Sequence, residues 1–548
     1  MSRQPQIDEF VHELSVGRID RRTFLQRVTA AGYSLGVAGS LAAAVGAGRA
    51  RAAEDAAGTL RIRSAGDVGN LDPAFVPGLT ETVVMTCVYE GLVGFKPGSY
   101  KVVPVLADKF ELSKDGKRID FTLRKGIQFH GGYGELTAAD VKFSYERTAG
   151  LTSPPINSPY QTDWAALAEV HVRGKYSGRI ILKNAFAPLM TNTLPGFDGY
   201  IVSKKAVEDL GANMAHHPIG TGPYEFVSWT PGQKLVLKKF ARYGRSWMRH
   251  AKAPIWSQIH FIPIPLASAA AIAIESGAVD WGPVGTDDID HLRSLGRLRV
   301  QKRTTLNYSW IGMNQANPAL RNINVRRAIR SAIDVPGILQ AAFNGKWRRA
   351  TALLAPGMAV GHWHGAPVYK RNVSKAKAYL AKAGQAGRGL HLTMAVKQTD
   401  VGASTIAQIV QANLADIGIK VDVLVQDRSV FNRLGGDAQK NRQLFYEVFT
   451  TPTPEPSFAT EWFTCDQLDQ WNWMSWCNRQ FSNWDAQAVK ILNPKRRSGI
   501  YVKMQKLWDQ HANTVWVAWP TAYFAGKKQI RPSLQPSGLY QPWDFRLA

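Results

Sequence analysis

Five tryptophans and an asparagine crowd one stretch of this 548-residue chain: Trp462, Trp471, Trp473, Trp476 and Trp484, with Asn472 among them. Aromatic walls give a cleft apolar area with few rotamers, and an asparagine adds directional hydrogen bonds. Cys465 and Cys477 flank this loop, and Cys87 is the third cysteine. Three thiols make no disulfide framework, but in an oxidising compartment Cys465 and Cys477 can form one local bridge, leaving Cys87 as a small buried hydrophobe. Closing a loop of about a dozen residues would contribute on the order of 2–3 kcal/mol.

Other chemistry is weaker. Gly32-Tyr33-Ser34-Leu35-Gly36 fits the hydrolase pattern G-x-S-x-G. It lacks the strand-turn-helix context that exposes a nucleophile, and it falls in a segment read below as an export signal. His216–His217 and His362–His364 are close histidine pairs without a third ligand at zinc-like spacing. No metal, cofactor or catalytic residue is expected, because P-loop, dinucleotide and H-E-x-x-H patterns are missing from the sequence.

The elements that must position a site alternate between strand and helix. Residues 110–124 read as a hairpin about Asp115–Gly116. Thr137-Ala138-Ala139-Asp140 reads as a capping box opening a helix with Val141, Ser144, Tyr145 and Thr148 on one face. Val325, Ala328, Ile329, Ala332 and Ile333 keep helical spacing, with Arg326, Arg327 and Arg330 placed opposite. Asp334 is expected to cap the next helix, with Pro336 in its first turn and Gly345 at its end. A further helix is read over residues 374–384. Leu390, Leu392 and Met394, then Ile406 to Ile417, then Ile419 to Val425 form a strand-helix-strand unit, which predicts a parallel pair. The class is mixed α/β, and the length suggests about three domains.

Arg21–Arg22 stand before Phe24–Leu25. An uncharged stretch rich in Ala and Gly follows, ending at Ala50-Arg51-Ala52. That order resembles a twin-arginine signal peptide over residues 1–52, which implies export in the folded state, a periplasmic destination in a Gram-negative cell, and the twin-arginine machinery as a partner. The 67 Lys and Arg against 42 Asp and Glu give a net charge of +25. Those charges are scattered rather than gathered into an arm, so no nucleic-acid partner is expected and a solvated basic surface is favoured.

Four phrases in order resemble the family-5 extracellular solute-binding proteins, the dipeptide, oligopeptide and nickel receptors of ABC importers. They are Leu106-Ala107-Asp108 through Phe129-His130 to Val141; Pro218-Ile219-Gly220-Thr221-Gly222-Pro223-Tyr224; Met313-Asn314 followed by Val325 to Asp334; and Trp476-Cys477-Asn478. The resemblance implies a two-lobed periplasmic-binding-protein clamshell (type II) with an inserted domain. One lobe would take 54–88, 220–310 and 511–548, the inserted domain 89–219, and the second lobe 311–510. It implies no enzyme but a monomeric receptor that captures a small peptide or similar amine-bearing solute and delivers it to permease subunits.

By the same resemblance, Glu455 in Thr451-Pro452-Thr453-Pro454-Glu455-Pro456-Ser457 stands where relatives place an acidic residue that pairs with a ligand's amino terminus. Asn70, Leu71 and Asp72 match a Leu-Asp-Pro loop near the cleft, although Asp72 can equally be a turn-former before Pro73. Trp462, Asn472 and Trp473 would face the ligand. Glu455 and the Trp/Asn loop leave room for an opine, an oligosaccharide or a nickel chelate. A periplasmic hydrolase is the remote alternative.

Overall fold

The computed structural model describes residues 10, 13, 19–30, 58–75, 78–244, 253–398, 400–427, 430–432, 443–451 and 453–548. Alternating apolar strands and one-sided helices sort the chain into three principal sheets. The first has seven strands in the order Leu298–Thr304, Thr521–Lys527, Trp281–Val284, Thr59–Ser64, Gln258–Pro263, Lys234–Lys239 and Tyr224–Thr230. Thr59–Ser64 runs parallel to both neighbours, and the outer pairs are antiparallel.

The second sheet has six strands: Arg348–Arg349, Thr514–Trp519, Tyr308–Met313, Leu444–Phe449, His391–Lys397 and Lys420–Gln426. His391–Lys397 and Lys420–Gln426 are parallel in full register across the helix Ala403–Ala415, as their alternation predicts. The third sheet is antiparallel, Ala107–Leu112, Arg118–Leu123, Ser177–Leu182 and Leu167–Gly174, and the helix Ala138–Thr148 packs on it. This is the mixed α/β architecture expected, each sheet having its own buried core.

Local signals explain the ends of these elements. In the hairpin, Asp115 Oδ1 accepts from Lys117 N at 3.1 Å, and Gly116 takes φ +69°. The Asp140 carboxylate accepts from Thr137 N at 2.9 Å, closing the predicted box. The helix Ile323–Ala332 buries Val325, Ala328, Ile329 and Ala332 as expected, but Arg326 is buried too. Its guanidinium donates to Leu320 O, Arg321 O and His511 O, so it fastens helix ends instead of facing solvent. Asp334 occupies the N-cap of Val335–Phe343 without a side-chain cap bond. That helix stops at Asn344 and Gly345, both with positive φ.

The chain passes between the first and second sheets at residues 304–308 and again at 519–521. Thr305 joins the two crossings, donating to Pro520 O from its N–H at 2.9 Å and from its hydroxyl at 2.8 Å. Residues 514–519 belong to the second sheet, pairing with Tyr308–Met313, while 521–527 return to the first.

Near the N-terminus, Arg21–Ala30 is helical, and Phe24 and Val28 are buried beside the helix Ala267–Ser276. Residues 31–57, which hold the apolar stretch and the cleavage pattern, lie outside the described residues. Among the described residues no helix is long and apolar enough to cross a membrane.

Cys465 and Cys477 form a disulfide. Exchanging both for serine should lower the unfolding free energy by about 2–3 kcal/mol, as expected for a short closed loop. Denaturant melts with matched m-values would show it, and an unchanged midpoint would mean the loop is held by its other contacts alone.

Candidate functional site

A cavity of ≈ 500 Å³ opens where the three sheets' territories meet. Three groups of residues build its wall. Helix Leu79–Val88 and its extension Tyr89–Glu90, with Gln535, Gln541 and Trp543, come from the first-sheet side. The hairpin of Val93–Phe95 and Val102–Pro104, with Arg124 and residues 195–200, comes from the third-sheet side. Thr453 reaches in from the second-sheet side. A cavity of this size, mostly apolar with a few polar groups, is the usual form of a small-molecule site.

The Gly-Thr-Gly phrase explains why the wall holds its shape. Gly222 N donates to Val88 O at 2.9 Å, and a Cβ on Gly222 would lie 2.6 Å from Cys87 O. Only glycine lets the chain just ahead of the strand Tyr224–Thr230 approach so close to the helix end. His130 N donates to Gly220 O at 2.9 Å, and His130 Nε2 lies 2.9 Å from Gly222 O. Burial keeps that imidazole down at about 4, so it is neutral at physiological pH.

Fixed in this way, the helix extension presents Glu90, whose oxygens accept from Thr221 Oγ1 at 3.0 Å and Tyr243 OH at 2.8 Å. Burial pushes the Glu90 carboxyl up to about 8, so it is protonated at neutral pH. Sequence reading passed over Glu90. The available signal was a single carboxylate inside the apolar run from Val83 to Leu92, where an acidic residue has to be buried and satisfied.

None of the seven expected ligand residues lines this cavity. Glu455 is 1% exposed. Arg497, itself buried, donates to both its oxygens, at 3.1 Å from Nη1 to Oε2 and more closely from Nη2 to Oε1. Ser457 adds its N–H at 3.1 Å and its hydroxyl at 2.9 Å, and Thr191 donates at 2.5 Å from the third-sheet side. The carboxylate is therefore consumed inside the protein, and among the described residues of its phrase only Thr453 reaches the cavity wall.

Asp72 is likewise buried and takes a two-pronged bond from Arg147, at 2.9 and 2.6 Å. Asn70 Oδ1 accepts from Asp72 N at 2.8 Å, and Leu71 is fully buried, so these three residues form a turn anchored on Arg147. Asn472 is 1% exposed, and its amide donates to Thr464 O at 3.0 Å and Trp476 O at 2.7 Å. It braces the disulfide loop from inside. Trp462 and Trp473 are half-buried and meet edge-on or tilted with Phe449 and Trp471. They keep part of their rings accessible. The close histidine pairs stand apart from the cavity wall, and among the described residues no cluster of three metal-ligating side chains occurs.

Two outcomes follow from these charges. Arg497→Met should destabilise the fold by about 3–5 kcal/mol, because it strands a buried carboxylate. Replacing Glu455 and Arg497 together with methionine should cost much less, and equal losses in the single and double variants would refute the pairing. For pH, burial raises Glu90 to about 8, Asp485 to about 7 and Glu447 to about 7. A raised carboxyl stabilises the fold below its unfolded value and loses that contribution as pH climbs through its folded value. The melting temperature should therefore fall between about pH 5.5 and about pH 8.5, and a flat or rising profile there would contradict it.

The sequence matches the model of the bacterial extracellular solute-binding proteins, family 5, over residues 101–470. The glutathione-binding protein GsiB of Shigella flexneri is 25% identical over 451 residues, covering 80% of this chain and 85% of that protein. Among solved structures, the periplasmic binding protein DppA of Helicobacter pylori, in complex with the peptide STSA, superposes with a TM-score of 0.77 at 24% identity. It covers 89% of this chain and 98% of that one. The binding protein AgaA of A. tumefaciens R10, in complex with agropinic acid, superposes with a TM-score of 0.74 at 22% identity, covering 90% and 99%. A sheet-and-crossing architecture shared along nearly the whole described length, and a family match over most of the chain, lead to one conclusion: this protein belongs to family 5 of the bacterial extracellular solute-binding proteins.

Proposed function

We propose that the protein is the receptor of an ABC importer that captures a small peptide-like solute in the cavity beneath the Val93–Pro104 hairpin and hands it to permease subunits. The observation that carries this reading is the cavity itself, walled by residues from three regions that each have their own buried core. A solute touching all three favours the closed arrangement by the difference in its affinity for the open and closed forms. Binding alone accomplishes this, so the protein acts as a receptor and not as an enzyme. It works as a monomer in the periplasm, exported through the twin-arginine route.

The peptide-like class is supported by the likeness to the glutathione-binding proteins, together with a wall that combines apolar faces with amide and hydroxyl groups. On this reading Trp462 and Trp473 pack with Phe449 and Trp471 away from the cavity wall. Glu455, Asp72, Asn70, Leu71 and Asn472 keep the surrounding loops in place.

Thermal-shift measurements on the purified protein test this directly. Glutathione and a panel of di- and tripeptides should raise the melting temperature in a concentration-dependent, saturable way. A protein that responds to none of them, but responds to agropinic acid, an oligosaccharide or a nickel–histidine chelate, would keep the receptor and replace its solute.

A further inference from the structure

The charges around the cavity define which end of the solute it holds. Lys96, Lys101 and Arg124 all line it, and the one carboxyl among the described lining residues is Glu90. Glu90 is already occupied by two hydroxyl donors. It is neutral at neutral pH and offers a solute cation no free negative charge.

Arg124 is positioned by Val105 O at 2.8 Å and rests 3.5 Å from Asp108, which is largely exposed and can only weakly screen it. Lys96 and Lys101 are exposed and form no ion pair among the described residues. They face one another across the hairpin tip, where Lys96 N donates to Lys101 O at 2.8 Å. Glu455, the carboxylate that could have received an ammonium, is closed off by Arg497.

We infer that the cavity selects its solute by a carboxylate, received by Lys96, Lys101 and Arg124, and needs no free amino terminus. The occupant is then an amide-containing acid, such as an acidic or N-blocked peptide, whose apolar part lies against Phe95, Phe197 and Trp543. This inference rests on the receptor reading above and narrows it. The protein's net charge of +25 fits the same class, since a basic surface raises the encounter rate with anions.

Calorimetric titration of the full purified protein with three probes tests the assignment: Glu-Ala-Gly, N-acetyl-Glu-Ala-Gly, and Gln-Ala-Gly carrying a C-terminal amide. Acetylation should change the dissociation constant by less than about threefold, while removal of both carboxylates should weaken binding by at least about tenfold. The double variant Lys96→Gln, Lys101→Gln changes only exposed side chains. It should weaken the two acids by about tenfold and leave the amidated probe unaffected.

Loss of binding on acetylation, or equal affinity for acids and amide, would overturn the carboxylate assignment while leaving a peptide receptor in place. Failure of all three probes to bind would remove the peptide-like reading and this inference with it.

Discussion

The architecture depends on a double crossing. The chain leaves the first sheet near Thr304 and returns to it at Thr521, and Thr305 ties the outgoing strand to the returning one through two bonds to Pro520 O. The two crossings are therefore adjacent and bonded to each other, so both connections between the sheets lie side by side. Asn307 extends the clasp: its N–H donates to the Thr305 hydroxyl at 3.2 Å, and its Oδ1 accepts from Thr451 N at 2.8 Å. The crossing is thereby bonded to the loop that carries Thr453 to the cavity.

Around that crossing, buried charge pairs hold the loops, and among the described residues lining the cavity Glu90 is the one acid. Asp72 with Arg147 and Glu455 with Arg497 are two-pronged pairs supplemented by hydroxyl and backbone donors, the arrangement in which buried ions are tolerated. Glu455 also accepts from Thr191, and Ala187 N donates to Val489 O at 2.7 Å, so the third-sheet region is stitched to the second. The hairpin carrying Lys96 and Lys101 thus belongs to a region bonded to the second, and both lysines are exposed.

Much of the fold was legible because periodicity and capping are local. The hairpin at Asp115–Gly116, the box at Thr137–Asp140 and the parallel unit from His391 to Gln426 formed as their residues dictate. Arg326 was misread because a helical wheel cannot show that neighbouring helices end against its basic face. The Gly-Thr-Gly phrase was legible as a family mark, but its reason lay in a helix end more than a hundred residues earlier in the chain.

The ligand residues were harder to foresee for the same reason. Whether a carboxylate such as Glu455 is free depends on whether a distant arginine, here Arg497, has already taken it. Glu90 was missed because it sits in an apolar run, and its partners Thr221 and Tyr243 come from elsewhere in the chain. Pairing at long sequence separation, more than residue type, decides which acids can meet a solute.

On the proposed function, this cavity holds one small peptide-like solute per chain. Native mass spectrometry of the protein, incubated with an extract of small metabolites and then desalted, tests it most directly. The expected result is a stoichiometric adduct that, on denaturation, releases an amide-containing acid. Release of a lipid, a nucleic-acid fragment or a sugar without any amide would contradict it.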